Sequence, residues 1–187
     1  MKITRVFFIF LILSTSFKIT SQTFAASNFT LISNIDPEVL VNINGNKYSG
    51  CWGWYQSSLN EEYAIAGSQN GTYWVDITNP TTPTVCSFYT GTSSNATWRE
   101  IKTYQNFCYV VTDDNGATVL QIFDMSNLPT SVTKIYESQA LLSRAHAAWI
   151  DGDKLYTSSV TCSNNGFSSM TIYSLANPSS PVLLRSL

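Results

Sequence analysis

The chain has 187 residues, and charged side chains make up 12% of it, about half the usual share for a soluble domain. Its net charge of −2 falls to about −5 once Lys2, Arg5 and Lys18 of the N-terminal segment are set aside, which argues against nucleic acid as a partner and leaves no polybasic run for anionic lipid. The polar surface must be built largely from Ser, Thr, Asn and Gln, as in extracellular β proteins.

Residues 1–25 have the order of parts of a secretory signal peptide: basic Met1–Arg5, an apolar run Val6–Leu13 and a polar stretch from Ser14. The apolar run is too short to span a bilayer, and no later segment is long enough either. Cleavage is expected after Ala25 or before Gln22, giving an exported chain found at the cell surface or secreted. Phe29–Ile35 then reads as a lone strand of the kind that closes a ring from its first end.

Three units follow. Each has a strand around an Asx-x-x or Ser-x-x turn: Thr72–Pro80, Leu120–Pro129 and Met170–Pro178. The markers Asn79, Asn127 and Asn177 are 48 and 50 residues apart, the length of a four-stranded propeller blade. In chain order, the first strands hold Trp52 and Trp54, then Trp98–Lys102, then His146–Ile150. The second strands are Tyr63–Ala66, Cys108–Val111 and Leu155–Ser158, and the last are Thr84–Tyr89, Val132–Glu137 and Val182–Ser186. The fold class is therefore all-β, a partial β-propeller with blades at about 48–91, 95–138 and 144–187.

In the third strands, Val75, Phe123 and Tyr173 lie on one face and Trp74, Ile122 and Ile172 on the other. A sheet apolar on both faces needs cover on both, which stacked blades supply. Asp76, Asp124 and Ser174 sit where short polar side chains close a turn, and the prolines that follow cannot donate to a ladder.

Cys51, Cys86, Cys108 and Cys162 allow one or two disulfides in an oxidising compartment, with three pairings open, or serve as small strand hydrophobes. No zinc spacing and no Gly-rich phosphate loop occur, so no metal and no cofactor is expected. Asp113-Asp114-Asn115-Gly116 resembles a calcium loop without its later glutamate and reads better as a hairpin turn. The sequons at Asn28, Asn70 and Asn95 are chance matches in an Asn- and Thr-rich chain.

The third strands resemble the LVIVD repeat of bacterial surface propellers. With Asn28–Leu31, Cys51–Trp54, Glu62–Gly67, Trp98–Tyr104 and Ala145-His146, the mature chain is similar to the amino-terminal part of choice-of-anchor B proteins. The resemblance implies a secreted or surface propeller with a variable carboxyl-terminal anchor and no defined enzymatic activity. Ala147 departs from it, since family members place Asn after the histidine. It also implies further blades. Three do not close a ring, so the chain is expected to be a truncated product, or else an open arc that associates with another copy through exposed blade faces.

One column stands out for function: Trp52 in the first unit, Trp98, Arg99 and Glu100 in the second, Arg144 and His146 in the third. First strands line a propeller's channel, so these residues are candidates to meet a protein or glycan at its mouth. The bland alternative packs the tryptophans between blades and pairs Arg99 with Glu100 or another acid. Two other readings stand beside a binding module. One is a hydrolase or lyase around His146 and Arg99, although no Gly-x-Ser-x-Gly elbow is present. The other is a gene fragment with no role of its own.

Overall fold

A computed structural model of the chain describes residues 27–41, 44–93, 95–114, 119–162 and 166–187. The expected signal peptide lies outside them. The first sheet comprises β1 (Tyr48–Gln56), β2 (Glu61–Ser68), β3 (Gly71–Asp76) and β4 (Thr84–Thr90). The second has β5 (Arg99–Tyr104), β6 (Phe107–Thr112), β7 (Leu120–Asp124) and β8 (Thr133–Ser138). The third has β9 (Ala147–Asp151), β10 (Lys154–Cys162), β11 (Gly166–Ser174) and β12 (Val182–Ser186). All three are antiparallel meanders of four strands. The architecture is the all-β partial propeller expected from the repeat.

The repeat is exact down to single residues. Where the third strand meets the fourth, the register slips by one residue between Trp74 and Val75, between Ile122 and Phe123, and between Ile172 and Tyr173. The residue left unpaired in the outer strand is Cys86, Ile135 or Leu184, a β-bulge at one equivalent place per sheet. The turns after the third strands repeat as well. Asp76 Oδ1 accepts the Thr78 amide at 2.8 Å, Asp124 Oδ1 that of Ser126 at 2.9 Å, and Ser174 Oγ that of Ala176 at 3.2 Å. These are the turn roles expected of the two aspartates and the serine.

First strands carry most of the contact between sheets, β1 against β5 and β5 against β9. Two cores result. Tyr63, Ile65 and Trp74 of the first sheet pack on Cys108, Val110 and Phe123 of the second. On that sheet's other face, Tyr109, Val111 and Ile122 pack on Leu155, Val160 and Tyr173 of the third. Alternation along β6 thus sends neighbouring residues into different cores, which is why the second sheet is apolar front and back.

Two expectations are corrected. No strand forms over residues 27–41, so Phe29–Ile35 is not the strand that its pattern suggests. All four cysteines are free thiols. Cys108 and Cys162 are buried in different cores, and Cys51 is exposed on β1, so the disulfide reading of Cys51, Cys86, Cys108 and Cys162 gives way to that of strand hydrophobes.

Candidate functional site

The register of β5 and β6 places Arg99 opposite Thr112. Trp98, just before β5, and Asp113, just after β6, therefore share one end of the second sheet, and the Asp113 amide donates to the Trp98 carbonyl at 3.3 Å. The third sheet is tied to the same end, because the Ala145 amide donates to the Thr112 carbonyl at 3.0 Å. That bond carries Arg144 and His146 alongside Asp113. The first sheet contributes Gly50, which has φ +43° and lies so close that a Cβ there would sit 2.0 Å from the Arg99 carbonyl oxygen. Only glycine allows this approach.

A cleft of about 250 Å³ opens here, lined by Gly50, Trp98, Arg99, Glu100, His146 and Ala147. All three sheets contribute through the heads of their first strands. Trp98 is 55% exposed, and its ring centroid lies 5.9 Å from that of His146 at 61°. Asp113 holds two partners at once: Oδ1 accepts from Arg144 Nε, and Oδ2 is paired with His146 Nδ1. Burial pushes the Asp113 carboxyl up, but the bonds and charges of Arg144 and His146 outweigh it and hold it below the ordinary carboxylate range.

Arg99 plays another part. It is 2% exposed, and its Nε donates to the Ser68 carbonyl at 3.0 Å and an Nη to that of Ser93 at 3.4 Å. Gly91 lies against the guanidinium, where a Cβ would come within 2.4 Å of a nitrogen. Burial lowers the Arg99 pKa to about 10, against the opposing pull of Asp114. Arg99 is thus a strut between the first two sheets as well as a residue of the cleft wall. It does not pair with Glu100, whose carboxylate is bonded to Lys102 instead.

Trp52 lies further along the first strands, outside the cleft. It pairs with Ile65, as Lys102 pairs with Tyr109 and Trp149 with Tyr156, so the three residues occupy equivalent positions in the three sheets. They converge. Lys102 Nζ is 4.1 Å from the Trp52 ring centroid and 5.9 Å from that of Trp149, and the two indoles meet edge to face at 6.1 Å. Trp52 Nε1–H donates to Thr103 Oγ1 at 3.0 Å. A second cleft of about 460 Å³ is lined by Glu100, Lys102, Trp149, Tyr156, Thr157 and Ser158 among others.

The structure thus brings Trp98, Glu100, Arg144 and His146 to one end of the sheets, with Asp113 beside them, and sets Lys102 and Trp149, which the sequence reading did not single out, against Trp52. The signal for Asp113 was the strand register, which puts the residue after a second strand beside the residue before the first.

These repeating sheets match a known sequence unit. The family described as "LVIVD repeat" matches residues 58–91 and 97–135. The first match covers β2–β4 and the second β5 to the first half of β8. The third sheet lies outside the matched stretches, yet it has the same strand order and the same bulge as the two matched sheets. No curated protein matches the chain.

Proposed function

We propose that this chain is an exported, non-enzymatic binding module displayed at the cell surface or secreted, which takes a ligand at the mouth formed by the heads of its first strands. The observation that carries the reading is Trp98, a large apolar side chain more than half exposed over a cleft to which all three sheets contribute. An aromatic held out of the core on a rigid strand end costs nothing to preorganise for binding. The amino-terminal residues 1–25 support export, and the similarity to choice-of-anchor B proteins supports a surface setting. The test is binding to extracellular glycans and proteins presented on an array, comparing the chain with Trp98→Ala. Saturable binding weakened about tenfold or more by the substitution supports the module; binding indifferent to Trp98 removes it.

A second reading rests on one observation. The Asp113–His146 pair holds the imidazole through Nδ1 and leaves Nε2 to the cleft, the arrangement of an oriented general base. It makes the mouth a hydrolase or lyase site. Turnover of polysaccharide or ester substrates, abolished by His146→Ala with the fold intact, is the outcome that would replace the binding module by an enzyme.

A further inference from the structure

The charges around the mouth are already matched within the protein. Glu100 is bonded to Lys102, and Asp113 holds both Arg144 and His146. Lys102 is nearly buried and lies against Trp52, while the Arg99 guanidinium is turned into the interface between the first two sheets. A cationic ligand finds its carboxylates neutralised, and an anionic one finds its cations engaged. Either would have to break a partly buried pair to be held.

What the mouth still offers is of another kind. Asp113 holds His146 through Nδ1, leaving Nε2 as a further hydrogen-bonding atom, and Glu100 binds Lys102 through Oε1 alone, leaving Oε2 as an acceptor. Beside these polar atoms stand two indoles, Trp98 at 55% and Trp149 at 58% exposed. The complement of hydrogen-bonding atoms set next to flat apolar rings is a molecule with hydroxyls around its edge and C–H bonds on its face. A neutral pyranose has both.

The two indoles stand in different clefts, and the clefts adjoin, since Glu100 and Ala147 line both. The smaller, at about 250 Å³, falls below the range of ordinary ligand pockets, and the larger, at about 460 Å³, lies within it. Thr157 and Ser158 add hydroxyls to the wall of the larger.

We infer that the two adjoining clefts bind a neutral oligosaccharide, one sugar ring stacked on Trp98 and another on Trp149, with Glu100 and His146 hydrogen-bonded to hydroxyls between them. This rests on the binding-module reading and narrows its ligand to one class.

Titration calorimetry on the full chain tests it, with cellotetraose, mannotetraose and chitotetraose as probes. Glucose, mannose, tetragalacturonate and choline serve for comparison. The expected result is that a neutral tetrasaccharide binds at least about tenfold more tightly than its monosaccharide, with affinity unchanged between low and high salt. Trp98→Ala and Trp149→Ala, both at exposed positions, should each lower affinity about tenfold or more while circular-dichroism melts stay unchanged. Tighter binding of tetragalacturonate or choline overturns the inference, as do equal affinities for one sugar and four, or no binding of any neutral probe. The two readings fail differently. Array binding to a protein that remains sensitive to Trp98→Ala keeps the mouth as a binding site while the sugar falls; loss of Trp98 sensitivity removes both.

Discussion

Replacing Trp74 by alanine should remove most of the stability that joins the first two sheets. Trp74 is fully buried in β3, its Nε1–H donates to Met125 Sδ at 3.2 Å, and its ring lies 4.8 Å from that of Phe123. A buried indole removes roughly 200 Å² from water, worth about 5 kcal/mol at 25 cal/mol per Å². Alanine keeps a small part of that, and the cavity left between two rigid sheets collapses poorly, so the expected loss is about 4 kcal/mol. Domains of this size have about 5–15 kcal/mol in all, so the change is severe. Because most contact between sheets is with the neighbouring sheet, the first should also melt ahead of the others. Urea unfolding followed by far-ultraviolet circular dichroism reads both effects, as a lower midpoint and a broadened or split transition. Trp74→Phe keeps an aromatic contact with Phe123 and should cost roughly 1–2 kcal/mol. If Trp74→Ala costs less than about 1 kcal/mol, the sheets are not held by this core and the stacking argument fails.

Other consequences are as direct. Arg99→Ala should destabilise the chain by roughly 2–4 kcal/mol, since it strands the Ser68 carbonyl and empties the space against Gly91; urea melts read the loss, and a change within about 0.5 kcal/mol would show that Arg99 is no strut. Asp113 has its pKa lowered on folding, so its contribution is full above the unfolded value near 3.9 and fades as pH falls through the lower folded one. Asp113→Asn should therefore cost about 1 kcal/mol at neutral pH and almost nothing at pH well below 3, read from melts across that range; an equal loss at both ends would show that charge is not the cause. Under native conditions a thiol reagent should modify Cys51 first, more slowly than a free thiol because burial raises its pKa, and reach Cys108 and Cys162 only on unfolding. Rapid native labelling of Cys108 would contradict the packing of the first two sheets.

The fold was legible because its signal is threefold. Asn79, Asn127 and Asn177 set the period, and Trp74, Ile122 and Ile172 opposite Val75, Phe123 and Tyr173 announce sheets apolar on both sides. The site was half legible. Strand order alone puts Trp98 and His146 at one rim, and they meet there at 5.9 Å. The strut role of Arg99 was hidden because its place at the head of a first strand suggests the channel mouth, whereas alternation along β5 turns its side chain into the sheet interface, where two carbonyls accept its protons. Lys102 and Trp149 were hidden for a related reason. Their meeting with Trp52 depends on how sheets fan about a common axis, and that angle is not written in any one strand. Phe29–Ile35 has the pattern of a strand, but pattern alone does not make one without a partner strand.

The single extra residue in each outer strand has a bearing on how the molecule meets its own kind. Cysteine, isoleucine and leucine fill the place interchangeably, so what is kept from unit to unit is the backbone kink rather than any side chain. A kinked rim is a poor template for a foreign strand, because its amides and carbonyls no longer fall on an even comb. Growth edge to edge, the route to fibres, is thereby disfavoured at each of these rims.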